Sequence, residues 1–385
     1  MSSLSRPVYL DYQATTPVDP RVLDEMLPYF TTKFGNASSI DHSFGADAGE
    51  AVELARKRVA TLIGAAPDDV IFTSGATEAN NLAILGLAES FEDNPGHLVT
   101  VETEHRAVLD PLGYLEKRGW RVTRLRVDGL GRVRPEDVRS SLREDTRLLS
   151  VMAANNEIGT TAPLAEISKV AFEAGVPMHS DATQAAGYLP LDVIADLVGL
   201  VSISAHKMYG PKGIGALVVR GRPLRRRLVP RQFGGGHERG LRSGTLNVPN
   251  IVGFGAASEL AHSEMAVRSS RLQVMRDRLW GLLQQTIPGI ELNGDASNRL
   301  PHNLNAYVPG VNSRALLVQL KSDIAASTGA ACGSAKAEPS HVIAALGLGA
   351  DRGQCSVRLS LGHSTSDEDV EFAAARFAEV VSMLR

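Results

Sequence analysis

The sequence predicts an α/β protein with two parts: a large domain on a buried, mostly parallel seven-stranded sheet, and a smaller α+β domain. Three observations carry this reading. From about residue 50 to 260, short apolar β-branched runs alternate with helical patterns of about 10–15 residues, as βαβ units require. Near residue 255 the alternation stops, and Ala256 to Gln285 reads as one long helical stretch with no strand signal. The chain has 385 residues, which at about 150 residues per domain gives a prior of two or three domains. The boundaries are placed at 15–260 for the large domain, with 1–14 and 261–385 forming the small one.

The elements follow in order. Val8-Tyr9-Leu10-Asp11 is strand-like and could join either domain. Val70 to Thr73 is a short apolar strand that turns through Ser74-Gly75 into a helical Ala76 to Ala88. His97 to Val101 is the next strand and Ala107 to Arg118 the next helix. Strand-like Val122 to Val127 and Arg147 to Ala153 flank a helical Glu136 to Leu142. Ile167 to Ala174 is helical, and Val176 to Asp181, Leu200 to Ala205 and Gly215 to Val219 are strands. The turn at Gly210-Pro211-Lys212-Gly213 is too short for a crossover, so the last of these strands should run antiparallel. In the second part, Asn303 to Val308 and Ser356 to Leu361 are strands, and Arg314 to Leu320 and Asp367 to Leu384 are helices.

Composition narrows the function classes. Hydrophobic residues make up 43% and charged residues 22%, which suits a globular chain with large cores. Net charge is −3, from 40 basic and 43 acidic residues. No global basic field therefore draws the molecule onto nucleic acid or an anionic membrane, and no direct contact with either is expected. No apolar run reaches the roughly 18 residues of a membrane span, and Met1 to Pro7 lacks the apolar core of a secretory signal. The two cysteines, Cys332 and Cys355, cannot form a disulfide framework. A cytoplasmic location is the default.

Chemistry concentrates at strand ends. In Ser202 to Gly213 a lysine, Lys207, follows a buried strand and precedes a Gly-Pro turn. With only eight lysines against 32 arginines, lysine is not a surface filler in this chain. At the mouth of an apolar sheet it can lose its proton by desolvation and form a Schiff base with a carbonyl cofactor. Ser204 and His206 beside it offer donors to a phosphate. Asp181 ends the strand 26 residues earlier, a spacing that suits one strand, a crossover helix and the next strand. Side by side at the carboxyl edge, the two would sit where such sheets bind ligands. There an acid can keep the pyridine nitrogen of pyridoxal phosphate protonated. Alone, Asp181 would read as a helix N-cap.

The run Thr73-Ser74-Gly75-Ala76-Thr77-Glu78 turns from strand into helix, aiming free N–H groups and the positive dipole end at one spot. It forms an anion cup without the spacing of a Walker A loop. His105, in Glu102-Thr103-Glu104-His105, could stack on a ring and shuttle protons. Asn155-Asn156-Glu157-Ile158-Gly159 places amides and a carboxylate after another strand. The Gly-rich run from Gly234 to Thr245 reads as a functional loop or subunit contact, with Arg and Thr suited to a phosphate. Cys332 sits among small residues from Ala325 to Lys336, a setting that favours an exposed, reactive thiol. Cys355 is strand-like and reads as a packing residue. Arg358 on the same strand could fork onto a carboxylate.

Together these motifs resemble the class I cysteine desulfurases, the NifS/IscS-like branch of the fold-type I pyridoxal-phosphate enzymes. The segments TSGATE, TEH, NNEIG, DATQ, SAHKMYGPKGIGAL, GGGHERGLRSGT and the GAAC loop occur in the family's order, and the likeness runs from Tyr9 to Gly362. The resemblance implies that pyridoxal 5'-phosphate is covalently held by Lys207, with Asp181 on the pyridine nitrogen and Gln184 on the phenolic oxygen. It also implies that His105 stacks on the ring, and that Ala76, Thr77, Ser204 and His206 hold the phosphate. Thr245 would reach the phosphate of a neighbouring subunit, making a homodimer. Asn156, beside the cofactor, and Arg358 would orient the carboxylate of L-cysteine, and Cys332 would take its sulfur as a persulfide for a protein acceptor. No metal is implied. Two departures are visible: Asn36-Ala37-Ser38-Ser39 replaces a frequent Asn-Pro-Ala-Ser, and the chain ends at Arg385 where scaffold-docking members carry a longer tail. The acceptor is thus open among iron–sulfur assembly, tRNA thiolation and DNA phosphorothioation. Competing readings are a selenocysteine lyase or aminotransferase, and a non-catalytic sulfur-relay subunit.

Overall fold

The computed structural model describes residues 7–191, 197–329 and 340–385. Seven strands form the large sheet: β2 (Val70–Thr73), β3 (His97–Val101), β4 (Arg121–Leu125), β5 (Thr146–Ser150), β6 (Met178–Asp181), β7 (Leu200–Ser204) and β8 (Gly215–Val219). Their spatial order is β2-β8-β7-β6-β5-β3-β4. Every pairing is parallel except the two that β8 makes with β2 and β7. The short Gly-Pro turn before β8 forces that reversal, as expected. The central strands are buried along their whole length because helices cover both faces, which is why they read as continuous apolar runs.

Parallel strands place their carboxyl ends on one edge. Asp181 ends β6 in register with Ser202 of β7, and Thr73 and Ser204 both face Gly215 at the start of β8. The backbone is close-fitting here. A Cβ on Gly215 would lie 2.7 Å from the Cα of Gly75, so glycine lets the turn after β2 lie against β8. The connection from β6 to β7 was expected to carry a crossover helix. Its residues 182–190 form turns, and 192–196 lie outside the described residues.

The second sheet has the order β12-β10-β9, all antiparallel, from β9 (Glu291–Leu292), β10 (Asn303–Tyr307) and β12 (Ser356–Ser360). The N-terminal strand β1 (Val8–Tyr9) pairs in parallel with β11 (Ile324–Ala325), so it joins this second part. Asp11 then bridges to Ser360, and Thr16 crosses to the large sheet by donating from its N–H to the His206 carbonyl at 3.0 Å. The long helix, Val248–Thr286, begins eight residues before the expected Ala256 and runs across the expected boundary at 260. Its first turns are buried nearly all round, which hides a helical period. Its later buried residues, Leu272, Met275, Leu279 and Leu283, show the spacing plainly. A helix at Ser43–Leu62, capped unusually by the His42 ring, packs against it. Among the described residues, no helix is long and apolar enough to cross a membrane.

The Gly-rich run is pinned to the large sheet by one buried ion pair. Glu238 takes both Arg56 Nη groups at 2.9 and 2.8 Å and the Phe72 N–H of β2 at 2.7 Å. Neither residue is more than 6% exposed. Removing one partner of such a pair strands the other charge without water. Glu238→Gln should therefore cost about 3–5 kcal/mol of folding stability, read as a lowered midpoint in urea unfolding with an unchanged slope.

Candidate active site

A cavity of about 340 Å³ opens at the carboxyl edge of the large sheet. Of the residues expected from the sequence, Ala76, Thr77, His105, Asn156, Asp181, Gln184, Lys207 and Arg358 line it. Three others do not. Ser204 lies beneath the Gly75 turn, within 3.9 Å of where a Cβ on that glycine would be. His206 Nδ1 pairs with Thr15 Oγ1 at 3.1 Å. Thr245 is exposed on the surface. Cys332 lies outside the described residues. Cys355 is half-buried rather than packed, because it sits in the turn just before β12. Burial, then the charge of Asp351, raises its thiol pKa.

Lys207 closes the short 3-10 turn after β7. Its Nζ donates to the carbonyls of Gln13 at 2.5 Å and Ala14 at 2.9 Å. Burial, reinforced by the Arg358 charge, pulls its pKa down to about 8, while Asp11 and Asp181 oppose the shift. Desolvation penalises the ammonium, and two carbonyl dipoles do not replace its hydration.

Across the cavity the Asp181 carboxylate is fixed from two sides. Asn80 Nδ2 donates to Oδ2 at 2.7 Å and the Thr183 N–H donates to Oδ1 at 3.0 Å. Behind it His179 is fully buried between Ser150 Oγ and Ser202 Oγ, its pKa pushed down to about 4 by burial, so it adds no charge. His105 caps the helix Arg106–Glu116, its Nδ1 accepting the Ala107 N–H at 3.1 Å. That bond assigns the ring proton to Nε2. The preceding Glu104 is wholly buried and takes the Met152 N–H at 2.5 Å. Burial, and after it Asp181, raises its pKa well above the usual carboxylate range.

The anion cup is present as a structure. Gly75 has φ +150° and no side chain caps the helix Ala76–Glu89, so its first N–H groups are free. Glu78 at this end is tied to Arg242 at 2.9 Å and to the Ser74 N–H at 2.7 Å, which offsets its charge. On the opposite wall, Arg358 donates from Nη1 to the Asn156 carbonyl and from Nη2 to Asp11 Oδ1, both at 2.7 Å. Asn156 is held in an Asx turn, with Asn155 Oδ1 accepting from the N–H of Glu157 at 2.8 Å and of Ile158 at 3.0 Å. Sequence reasoning missed Asp11, Gln13, Asn80 and Thr183 as lining residues. Asn80 follows Thr77 by one helical turn, a spacing that could have flagged it.

The donor set fits pyridoxal phosphate. It offers a half-buried lysine of lowered pKa, a fixed carboxylate, an N–H cup for a phosphate, and His105 in the cavity wall. Thr183 Oγ1, buried in the wall, has no partner among the described residues. Fold and site together define a fold-type I pyridoxal-phosphate protein. The chain belongs to the aminotransferase class-V family, whose model matches residues 8–372. It is 52% identical over 379 residues to "Cysteine desulfurase IscS" of Anaeromyxobacter dehalogenans (strain 2CP-C), covering 98% of this chain and 93% of the relative. Among solved structures it superposes on a "NifS-like protein" with TM-score 0.90 at 35% identity, covering 98% of this chain and 100% of the other. A structure described as "SspA in complex with cysteine" matches with TM-score 0.82 at 36% identity, covering 92% and 98%.

The lowered lysine pKa sets a pH dependence. Only the neutral amine attacks an aldehyde, and below its pKa the neutral fraction rises tenfold per pH unit. The rate at which apoprotein turns yellow with pyridoxal phosphate should climb up to pH about 8 and flatten above it. A lysine at its ordinary 10.5 would keep climbing to pH 10 and beyond. Stopped-flow absorbance across pH 6 to about 10 reads the difference.

Proposed function

We propose that this chain is a pyridoxal-phosphate-dependent cysteine desulfurase, and that it converts L-cysteine to L-alanine and leaves the sulfur as a persulfide on Cys332. One observation carries the reading: a single cavity joins the desolvated Lys207, the fixed Asp181 and the buried Arg358. A lysine and an acid at such an edge suit an amino-acid substrate, and a guanidinium beside them suits its carboxylate.

Pyridoxal phosphate, when bound, supplies an electron sink that acidifies the substrate Cα–H and lets the Cβ–S bond open. Lys207 would hold it covalently and would carry the proton at Cα. Asp181, its two oxygens kept in place by Asn80 and Thr183, would hold the proton on the ring nitrogen. His105 would flank the ring and, with its proton on Nε2, could serve as acid. Gln184, whose amide donates to the Gln13 carbonyl at 3.2 Å, would reach the phenolic oxygen. The cup at Ala76 and Thr77 would take the phosphate, with Ser204 beneath the Gly75 turn and His206 turned to Thr15 Oγ1. Arg358 and Asn156 orient the carboxylate. The Cys332 thiolate attacks the substrate sulfur: the Cβ–S bond breaks, an S–S bond forms, and Cβ gains a proton to give alanine. Atoms balance without a further oxidant.

The same reading assigns residues 15–260 to cofactor binding and places 1–14 with 261–385 in a smaller domain that carries the Cys332 segment. It makes the protein a cytoplasmic homodimer in which Thr245, exposed in one protomer, completes its neighbour's phosphate site. A protein acceptor takes the persulfide toward iron–sulfur clusters, tRNA or DNA thiolation.

The test is Cys332→Ser. The variant should keep its yellow colour and bind L-cysteine, but lose alanine formation and the persulfide adduct by more than about a hundredfold, since nucleophile removal abolishes the covalent route. Alanine formation at the wild-type rate would reassign the nucleophile.

A further inference from the structure

We infer that Gln13 is a specificity-determining residue, its side-chain amide donating to the carboxylate of the amino-acid substrate beside Arg358. The inference rests on the desulfurase reading above and adds a donor that no motif marked.

The direction of the Gln13 amide follows from its neighbours. Arg299 has only donors, and its Nη2 donates to Asn303 Oδ1 at 2.6 Å. That leaves Asn303 Nδ2 as a donor, and it reaches Gln13 Oε1 at 2.6 Å and the Glu157 carbonyl at 3.0 Å. Gln13 therefore presents its oxygen to Asn303 and its NH2 elsewhere. Among the described residues Gln13 Nε2 has no hydrogen-bond partner, although the residue is 1% exposed and lines the cavity. A buried amide N–H without an acceptor costs free energy. A ligand oxygen that meets it recovers that cost.

The main chain of Gln13 locates the missing acceptor. Its carbonyl accepts from Lys207 Nζ, and its N–H donates to Ser360 Oγ at 2.9 Å. Ser360 lies two residues from Arg358 on β12, hence on the same face. Asp11, two residues before Gln13, is the carboxylate on Arg358 Nη2. Gln13 thus stands between the amine and the guanidinium. In an α-amino acid the amino and carboxylate groups share one carbon. A substrate whose nitrogen lies at the Lys207 end and whose carboxylate faces Arg358 must pass its carboxylate along this amide. Arg358 Nε is a second buried donor without a partner among the described residues. Two idle donors on residues that line one cavity match the two oxygens of one carboxylate.

The experiment compares L-cysteine with cysteamine, the same molecule without the carboxylate, in Gln13→Leu and Gln13→Glu holoenzymes. Gln13→Glu keeps an oxygen for Asn303 and replaces the donor by a second acceptor, so it covers the case in which Gln13→Leu fails to fold. The KM for L-cysteine should rise about tenfold or more in Gln13→Leu, as for a lost hydrogen bond to a charged group, and further in Gln13→Glu. The cysteamine-induced absorbance change and the spectrum of the free holoenzyme should stay as in the wild type. Equal weakening of both ligands would overturn the inference and make Gln13 part of the general pocket wall. A shifted free-enzyme spectrum with the preference for L-cysteine intact would also overturn it, giving the donor to the cofactor. A wild-type enzyme that forms no alanine from L-cysteine would instead sink the desulfurase reading itself.

Discussion

Lys207 exchanges the water around its ammonium for the carbonyls of Gln13 and Ala14, and much of the site depends on that exchange. The amine loses its proton near pH 8, well below the ordinary lysine range, because burial dominates the charges around it. Burial in turn requires the parallel sheet. β7 delivers Lys207 to the same edge as Asp181 because β6 and β7 run in the same direction, side by side. The reversed β8 lets the turn at Gly75 close over that edge.

The N-terminal segment ties the two sheets together. Asp11 bridges to β12 and pairs with Arg358, whereas Gln13 and Ala14 cap Lys207 and Thr16 meets the strand-end turn at His206. A few consecutive residues thus set the distance from amine to guanidinium, which must match the span of one amino acid. Behind them Arg299 is buried with carbonyl and amide oxygens as partners, and burial lowers its pKa to about 9. Its place is structural: it fixes the Asn303 amide, and through it the direction of Gln13.

What could be read from the sequence follows from how information is laid along the chain. Lys207, Asp181, His105 and the cup at Ala76 and Thr77 each sit at or just after the end of a strand, and a parallel sheet gathers such ends by topology alone. Their company in one cavity was therefore legible. Contacts such as Asp11 to Arg358, Gln13 to Asn303 and Asn80 to Asp181 join residues 347, 290 and 101 positions apart, and no local pattern marks them. The helix Val248–Thr286 began earlier than its pattern because Pro249 sits in its first turn and its early residues are apolar on every face. The helix Ser43–Leu62 went unread because a histidine, not one of the usual short polar residues, caps it.

The central claim is that Lys207 is the residue that carries the cofactor. Borohydride reduction of the yellow protein, followed by peptide mass mapping, tests it directly. The account predicts one reduced pyridoxyl-phosphate adduct per chain, on the peptide containing Lys207 and on no other lysine. An adduct on Lys212 or on another lysine, with Lys207 unmodified, would contradict it.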